Sequence, residues 1–89
     1  MWELERIFIV MEEEGDPQYG IGLELRRKAK IRRPVMTGVV LRIDVATNTV
    51  EIGEALCHKS DIPTRSIILS PEDIQRVYRA KECVLRCNQ

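Results

Sequence analysis

Aromatic residues are scarce in this sequence and make up 4% of its 89 residues. The complete set is Trp2, Phe8, Tyr19 and Tyr78. A core with so few rings must be built from aliphatic side chains, and the β-branched ones among them favour strands. The composition therefore predicts a mainly β protein with a core of isoleucine, valine and leucine.

Long apolar runs and export signals are also missing. No stretch approaches the roughly 20 apolar residues that a membrane-spanning helix needs. Met1 is not followed by the basic region and apolar run of a signal peptide. The three cysteines, Cys57, Cys83 and Cys87, are an odd number, which favours reduced thiols over a disulfide framework. These absences predict a cytoplasmic protein with no membrane partner.

The sequence contains no catalytic motif. It has neither a phosphate-binding glycine loop nor paired carboxylates of the glycosidase type. His58, Asp61 and a cysteine could in principle act as base, orienting group and nucleophile, but no local pattern fixes that geometry. Cys57, His58, Cys83 and Cys87 form the one potential set of metal ligands, and their spacing matches no familiar zinc motif. We therefore expect no enzyme activity, no catalytic residue, no metal site and no cofactor.

A chain of this length is sufficient for one small domain, residues 1–89. Because so small a domain buries a limited core, we expect a homo-oligomer. The formal net charge is zero, but the charges are unevenly distributed. The first sixteen residues are mainly acidic and residues 26–33 mainly basic, an asymmetry that can steer a partner or a second copy of the chain.

Two strands are predicted in the first third of the chain. Residues 2–11 fit either a strand or a helix that stops at Gly15, and the run Ile-Phe-Ile-Val favours the strand. A turn is predicted at residues 15–20. Residues 21–32 then alternate as in a half-buried strand. The apolar face, interrupted by Arg27, holds Ile21, Leu23, Leu25, Ala29 and Ile31, and the polar face holds Glu24, Arg26, Lys28, Lys30 and Arg32.

A bent hairpin is predicted over residues 35–52. Gly38, inside its first strand, predicts a bulge or a sharp bend, the device that curls a small barrel. Residues 46–48 form the turn, and Val50 and Ile52 resume the apolar face. That face of the first strand holds Val35, Thr37, Val39, Leu41, Ile43 and Val45.

The last third of the chain is predicted to end in a helix. Residues 53–65 lack periodicity and predict an irregular segment, and residues 66–69 predict a short strand. Ser70 and Pro71 suit a helix start as N-cap and first helical residue. The helix is either a single turn or a longer element that reaches about residue 83.

The whole pattern predicts a mainly β fold: a small, strongly bent, five-stranded antiparallel sheet or barrel, with a short helical element near residues 70–82. Gly38, Asp44 and Asn48, with the apolar alternation that follows them, resemble the first signature of the Sm/LSm (Hfq-like) family. Residues 67–74 stand where the second signature would lie. The resemblance implies a ring-forming, Sm-like small β-barrel that binds RNA.

The sequence departs from the family's pattern at two places. Ser70 and Pro71 stand where the family carries an Arg-Gly pair. Ala46 and Thr47 stand where the family often stacks a base on an aromatic or similar side chain. The uridine pocket that the resemblance implies is therefore incomplete. The resemblance covers about residues 21–80.

A row of cations on the second strand is the first candidate binding surface. Side chains two residues apart on a strand lie about 6.6 Å apart, and such a row can follow a phosphate backbone. The alternatives are a solvated face that protects an edge strand and a cross-strand pairing with acidic residues such as Glu3 and Glu5 in a hairpin. The residues predicted to bind nucleic acid are Arg26, Lys28, Lys30, Arg32, Asp44 and Asn48.

Asp44 and Asn48 also have a purely structural interpretation, because both residue types satisfy backbone groups of the turns they flank. The leading hypothesis is a non-enzymatic small-barrel binding module for RNA or single-stranded nucleic acid. The alternative is a protein-interaction or oligomeric assembly module without a nucleic-acid ligand.

Overall fold

The chain folds into five strands followed by one helix. The structure, a computed structural model, describes residues 1–12, 18–27, 35–53 and 63–88. The elements are β1 (Trp2–Glu12), β2 (Gln18–Arg27), β3 (Val35–Asp44), β4 (Thr49–Gly53), β5 (Thr64–Ile68) and α1 (Pro71–Cys87). The strands form one antiparallel sheet in the order β1-β2-β3-β4-β5. The predicted five-stranded sheet with a C-terminal helix is confirmed; the sheet is open, without pairing between β1 and β5 in the described residues.

The first segment is a strand, and its helical alternative is wrong. β1 pairs with β2 from Trp2↔Arg27 to Glu12↔Gln18, with a register shift between Leu4 and Arg6. In this register Glu5 is the extra residue of a β-bulge. β2 begins at Gln18, so residues 18–20 belong to the strand instead of the predicted turn. The rest of that turn, residues 13–17, lies outside the described residues.

The predicted alternation of β2 is confirmed as far as the strand is described. Ile21, Leu23 and Leu25 are buried, while Glu24 and Arg26 lie on the opposite face. We call the face that carries the buried residues the core face and the other the outer face. Residues 28–34 lie outside the described part of the chain.

The predicted apolar face of β3 is wrong in its first half. Met36 is buried, whereas Val35 and Thr37, which belong to the predicted apolar face, are exposed. A register shift between Val40 and Arg42 makes Leu41 the extra residue of a bulge and exchanges the two faces, so that Ile43 packs against the core. The bulge therefore lies beyond the predicted position at Gly38.

Gly38 has a different role. A Cβ atom at this position would lie 2.9 Å from the backbone oxygen of Gly53 and 3.2 Å from Cδ1 of Ile52. The glycine is required because β4 passes too close for a side chain.

The helix is longer than predicted. It starts as expected, with the Asp73 N–H donating to Oγ of the N-cap Ser70 at 3.2 Å and with Pro71 in the first turn. It then continues to Cys87, 17 residues in all, past residue 82. The extension is stabilised because Val84, one of its last residues, is buried together with Ile74 and Val77.

The core is aliphatic, as the composition predicted, and no aromatic ring is among its fully buried members. The helix α1 covers β1 and β2, and each buried aliphatic side chain contributes roughly 1.5–3 kcal/mol. The buried set is Leu4, Ile21, Leu23, Leu25, Met36, Val50, Ile52, Ile67, Leu69, Ile74, Val77 and Val84.

The last strand, β5, spans residues 64–68 instead of the predicted 66–69, so Leu69 lies just after it. Residues 54–62 of the predicted irregular segment lie outside the described residues.

Candidate interaction surfaces

The first cation of the predicted basic row is engaged with an acidic residue of the neighbouring strand. Nε of Arg26 lies 3.2 Å from Oε1 of Glu5, the bulge residue of β1. Glu3 also lies opposite Arg26 in the register. The Nε atom is buried and makes no hydrogen bond within the described residues, so its contact with Glu5 is an electrostatic one. The cross-strand pairing between the acidic and basic segments is therefore present, within one chain, at this position.

A second charged pair lies beside it on the outer face. Nη2 of Arg6 is 3.5 Å from Oε2 of Glu24, and the guanidinium carbon is 5.4 Å from the centre of the Phe8 ring. The ring occupies the space over Gly22, where a Cβ atom would overlap the ring carbons of Phe8. Exposed pairs of this kind contribute between zero and about 1 kcal/mol each. The two charged pairs therefore contribute little to the stability of the sheet.

The β3–β4 turn is held by the two residues that the sequence singled out. Oδ1 of Asp44 accepts a hydrogen bond from the Ala46 N–H at 3.0 Å. Asn48 has a φ of 56°, which asparagine tolerates better than most residues. Its N–H donates to the Val45 carbonyl at 3.4 Å, and its carbonyl accepts from the Leu69 N–H at 3.0 Å. Both residues therefore have a structural role in the turn.

The candidate nucleic-acid residues do not form one site where the structure describes them. Arg26 faces Val35 at one end of β3, whereas Asp44 ends the strand. The two ends of β3, Val35 and Asp44, are nine positions apart along the strand, a span of roughly 30 Å. Lys28, Lys30 and Arg32 lie outside the described residues.

A shallow polar depression lies on the outer face near the turn. Its volume is about 170 Å³, below the several hundred Å³ of typical small-molecule sites. Its lining side chains come from three neighbouring strands and the turn: Arg42, Asp44, Thr47, Thr49, Glu51 and Ser66. The depression is open to solvent, and its lining is polar and charged.

The two thiol groups of α1 lie at the surface. Cys83 and Cys87, one turn apart, are both free and exposed. The potential metal set is not assembled in the described residues, which contain no group of three candidate ligands, and Cys57, His58 and Asp61 lie outside them. The Tyr78 hydroxyl donates a hydrogen bond to the Glu82 carboxylate, and this bond together with the negative charge of Glu82 raises the pKa of Tyr78 above the ordinary value.

An exposed apolar cluster lies on the core face near the end of β1, and sequence alternation alone did not single it out. Ile9 is 67% exposed, Met11 46% and Tyr19 42%. The cross-strand pair Met11↔Tyr19 adjoins the pair Ile9↔Ile21, so the exposed side chains are neighbours on one face. The available signal was the unbroken apolar run at residues 7–11, which is unusual for a strand at the edge of a sheet.

Comparison with protein-family models, with curated proteins and with solved structures finds no match to this chain. The resemblance to the Sm/LSm family accordingly stays a prediction from the residues. Within the described residues, no helix combines the length and the apolar composition needed to cross a membrane.

Proposed function

We propose that this chain is a non-enzymatic assembly module that works through protein–protein contacts. The observation that carries the proposal is the exposed apolar cluster of Ile9, Met11 and Tyr19. Its members are adjacent by strand register, so that one partner surface can cover all three.

Covering this cluster is energetically useful to a small domain. Burial of apolar surface stabilises by roughly 25 cal/mol per Å², which amounts to about 1.5–3 kcal/mol for a whole aliphatic side chain. Since a domain of this size buries a limited core of its own, a few kcal/mol from association is a large addition. Zero formal net charge leaves little overall repulsion between copies.

The charge arrangement of the outer face favours assembly over nucleic-acid binding. Phosphate-backbone binding depends on cations that are available to replace counterions. Arg26 is paired with Glu5 and Arg6 with Glu24, so cations and carboxylates alternate on this face. A phosphate backbone would meet a surface of mixed sign.

Nucleic-acid binding is the second candidate, favoured by the way β2 ends. Its last residues are Arg26 and the exposed Arg27, and the chain continues into Lys28, Lys30 and Arg32. A short single-stranded RNA could follow this basic segment by contacts to its phosphates alone.

Sedimentation velocity over a concentration series, from micromolar to millimolar, tests the assembly proposal. We expect a concentration-dependent increase in mass, which Ile9→Lys abolishes because it places a charge in the apolar cluster. Ile68→Lys is the matched control, since Ile68 is 61% exposed on the opposite edge strand. A monomer at every concentration would contradict the proposal.

A titration with labelled single-stranded RNA at low and moderate salt separates the two candidates. We expect no salt-sensitive binding. Binding at low salt that disappears on replacing Lys28, Lys30 and Arg32 with alanine would instead establish the nucleic-acid function.

A further inference from the structure

In the part of the chain that the structure describes, the outer edge of β1 has no partner strand, and it presents backbone hydrogen-bonding groups as well as apolar side chains. Opposite residues of an antiparallel pair alternate between exchanging two hydrogen bonds and exchanging none. The Asn88 side chain takes both backbone groups of Tyr19, accepting from its N–H and donating to its carbonyl at 2.9 Å each. Tyr19 and its partner Met11 are therefore a pair that exchanges no backbone hydrogen bonds with each other.

The same alternation gives the direction in which the other backbone groups of β1 point. Two residues along the register, Ile9↔Ile21 is again a pair without mutual hydrogen bonds, and so is Ile7↔Leu23. The N–H and C=O groups of Ile7, Ile9 and Met11 thus point away from β2. In the described residues no strand lies on that side of β1.

The beginning of β1 differs, because other elements cover it. Oδ2 of Asp73, in the first turn of α1, accepts a hydrogen bond from the Leu4 N–H at 3.2 Å. The Arg65 guanidinium carbon, from β5, lies 5.9 Å from the centre of the Trp2 ring. We call residues 2–4 the covered half of β1 and residues 7–11 the open half.

We propose that two copies of the chain associate by antiparallel pairing of their open halves about a two-fold axis at Ile9. This inference rests on the proposed assembly function and names its partner, a second copy. Ile9 then lies opposite Ile9 of the other copy, and Ile7 lies opposite Met11. Each of these pairs exchanges two backbone hydrogen bonds, and the two sheets become one continuous sheet.

The sequence of the open half is complementary to itself only in this register. With the axis at Ile9, every apolar position of residues 7–11 faces another apolar position, and Arg6 faces Glu12, a residue of opposite charge. An axis at Phe8 would set Met11 opposite Glu5. An axis at Val10 would set Phe8 opposite Glu12 and shorten the paired segment.

The covered half limits the pairing to the same segment. A strand that continued past Leu4 would compete with Asp73 for the Leu4 N–H. The helix therefore stops edge pairing at one end and leaves it available at the other. A two-fold interface of this kind is closed, so that it yields a dimer instead of a fibre along this edge.

Disulfide trapping tests the register. In a background with Cys57, Cys83 and Cys87 replaced by serine, Ile9→Cys places two thiols opposite each other across the axis. The expected Cα separation is about 5.5 Å, within the roughly 4.4–6.8 Å range that disulfides span. Val10→Cys is the control, because its two copies would be offset by two residues and lie about 8 Å apart.

We expect mild oxidation to convert most of the Ile9→Cys protein into a covalent dimer on a non-reducing gel, with at most traces for Val10→Cys. Equal cross-linking of the two variants, or none for Ile9→Cys while sedimentation still shows an oligomer, would overturn the register and leave the assembly function standing. A monomer at all concentrations would overturn both. Circular dichroism of each variant confirms that it is folded.

Discussion

The two halves of β1 lie on one strand and pair with the same neighbour, yet they meet different surroundings. In the covered half, Leu4 is 8% exposed and its outward N–H is bound by Asp73. In the open half, Ile9 is 67% exposed and its outward backbone groups face the edge that has no partner strand among the described residues. The bulge at Glu5 separates the halves. An edge strand can therefore be protected by the first turn of a helix over part of its length while the rest has no partner strand among the described residues.

Proline substitutions in the open half should have the largest effect on the free energy of unfolding, because proline removes a backbone N–H group. They also test which N–H groups point to β2 and which point to the outer edge. Val10→Pro removes an N–H that points to β2, and we expect the free energy of unfolding to fall by roughly 2–4 kcal/mol. Ile9→Pro removes an N–H that points to the outer edge, so its loss should be clearly smaller. Urea denaturation at a dilution where the protein is monomeric measures both. A larger loss for Ile9→Pro would reverse the assigned directions.

Removing the cover of Leu4 should have the next largest effect. Asp73→Ala leaves the Leu4 N–H without its acceptor, and we expect a loss of about 1–3 kcal/mol in unfolding free energy together with faster hydrogen exchange of the Leu4 amide. Glu72→Ala is the matched control, since Glu72 lies in the same helical turn and shares the favourable interaction with the helix dipole. Identical losses and unchanged exchange at Leu4 would show that Asp73 acts only on its own helix.

The Asn88 side chain should matter less, because its contacts are exposed. The pairing between β2 and β3 ends at Gly22↔Val39, so β3 does not reach Tyr19. The Asn88 side chain makes the two hydrogen bonds to the Tyr19 backbone that a neighbouring strand would otherwise make. We expect Asn88→Ala to cost about 1 kcal/mol and to speed exchange of the Tyr19 amide. Asn88→Asp keeps an acceptor for that amide, so its exchange should stay close to wild type. Faster exchange in both variants would assign the protection of Tyr19 to another group.

The charged pairs of the outer face should contribute least. Glu5→Gln removes the charged partner of Arg26. Because both side chains are slightly more than a third exposed, we expect the free energy of unfolding to change by less than about 1 kcal/mol. The same substitution in an Arg26→Ala background isolates the pair by a double-mutant cycle. A coupling well above this value would make the pair a structural determinant of the β1–β2 hairpin.

Much of the local structure could be predicted from the sequence. Ser70 and Pro71 act on the next few residues, and Asp44 and Asn48 satisfy or adopt the backbone of their own turn. The alternation of β2 is equally local, because successive side chains of any strand point to opposite faces. These features need no information from distant parts of the chain.

The candidate surfaces were harder to predict. The charge pattern allowed both a free basic row and a cross-strand pairing, and only the register of β1 against β2 placed Glu5 beside Arg26. The faces of β3 depend on a bulge at Leu41 that the spacing of apolar residues did not mark. Since a one-residue shift exchanges the faces of a strand, a single unrecognised bulge reverses the exposure of all the residues on one side of it.

The amino-acid sequence alone indicated where most of the strands lie, the turn at residues 46–48 and the start of the helix, because each depends on residues within a few positions of one another. The tertiary structure decided which half of β1 is covered. Two hydrogen bonds hold α1 against these strands, one from Leu4 of β1 to Asp73 and one from Tyr19 of β2 to Asn88. Each joins residues 69 positions apart. Contacts at that separation form only when α1 packs along β1 and β2, so the open apolar edge becomes visible only in the folded chain.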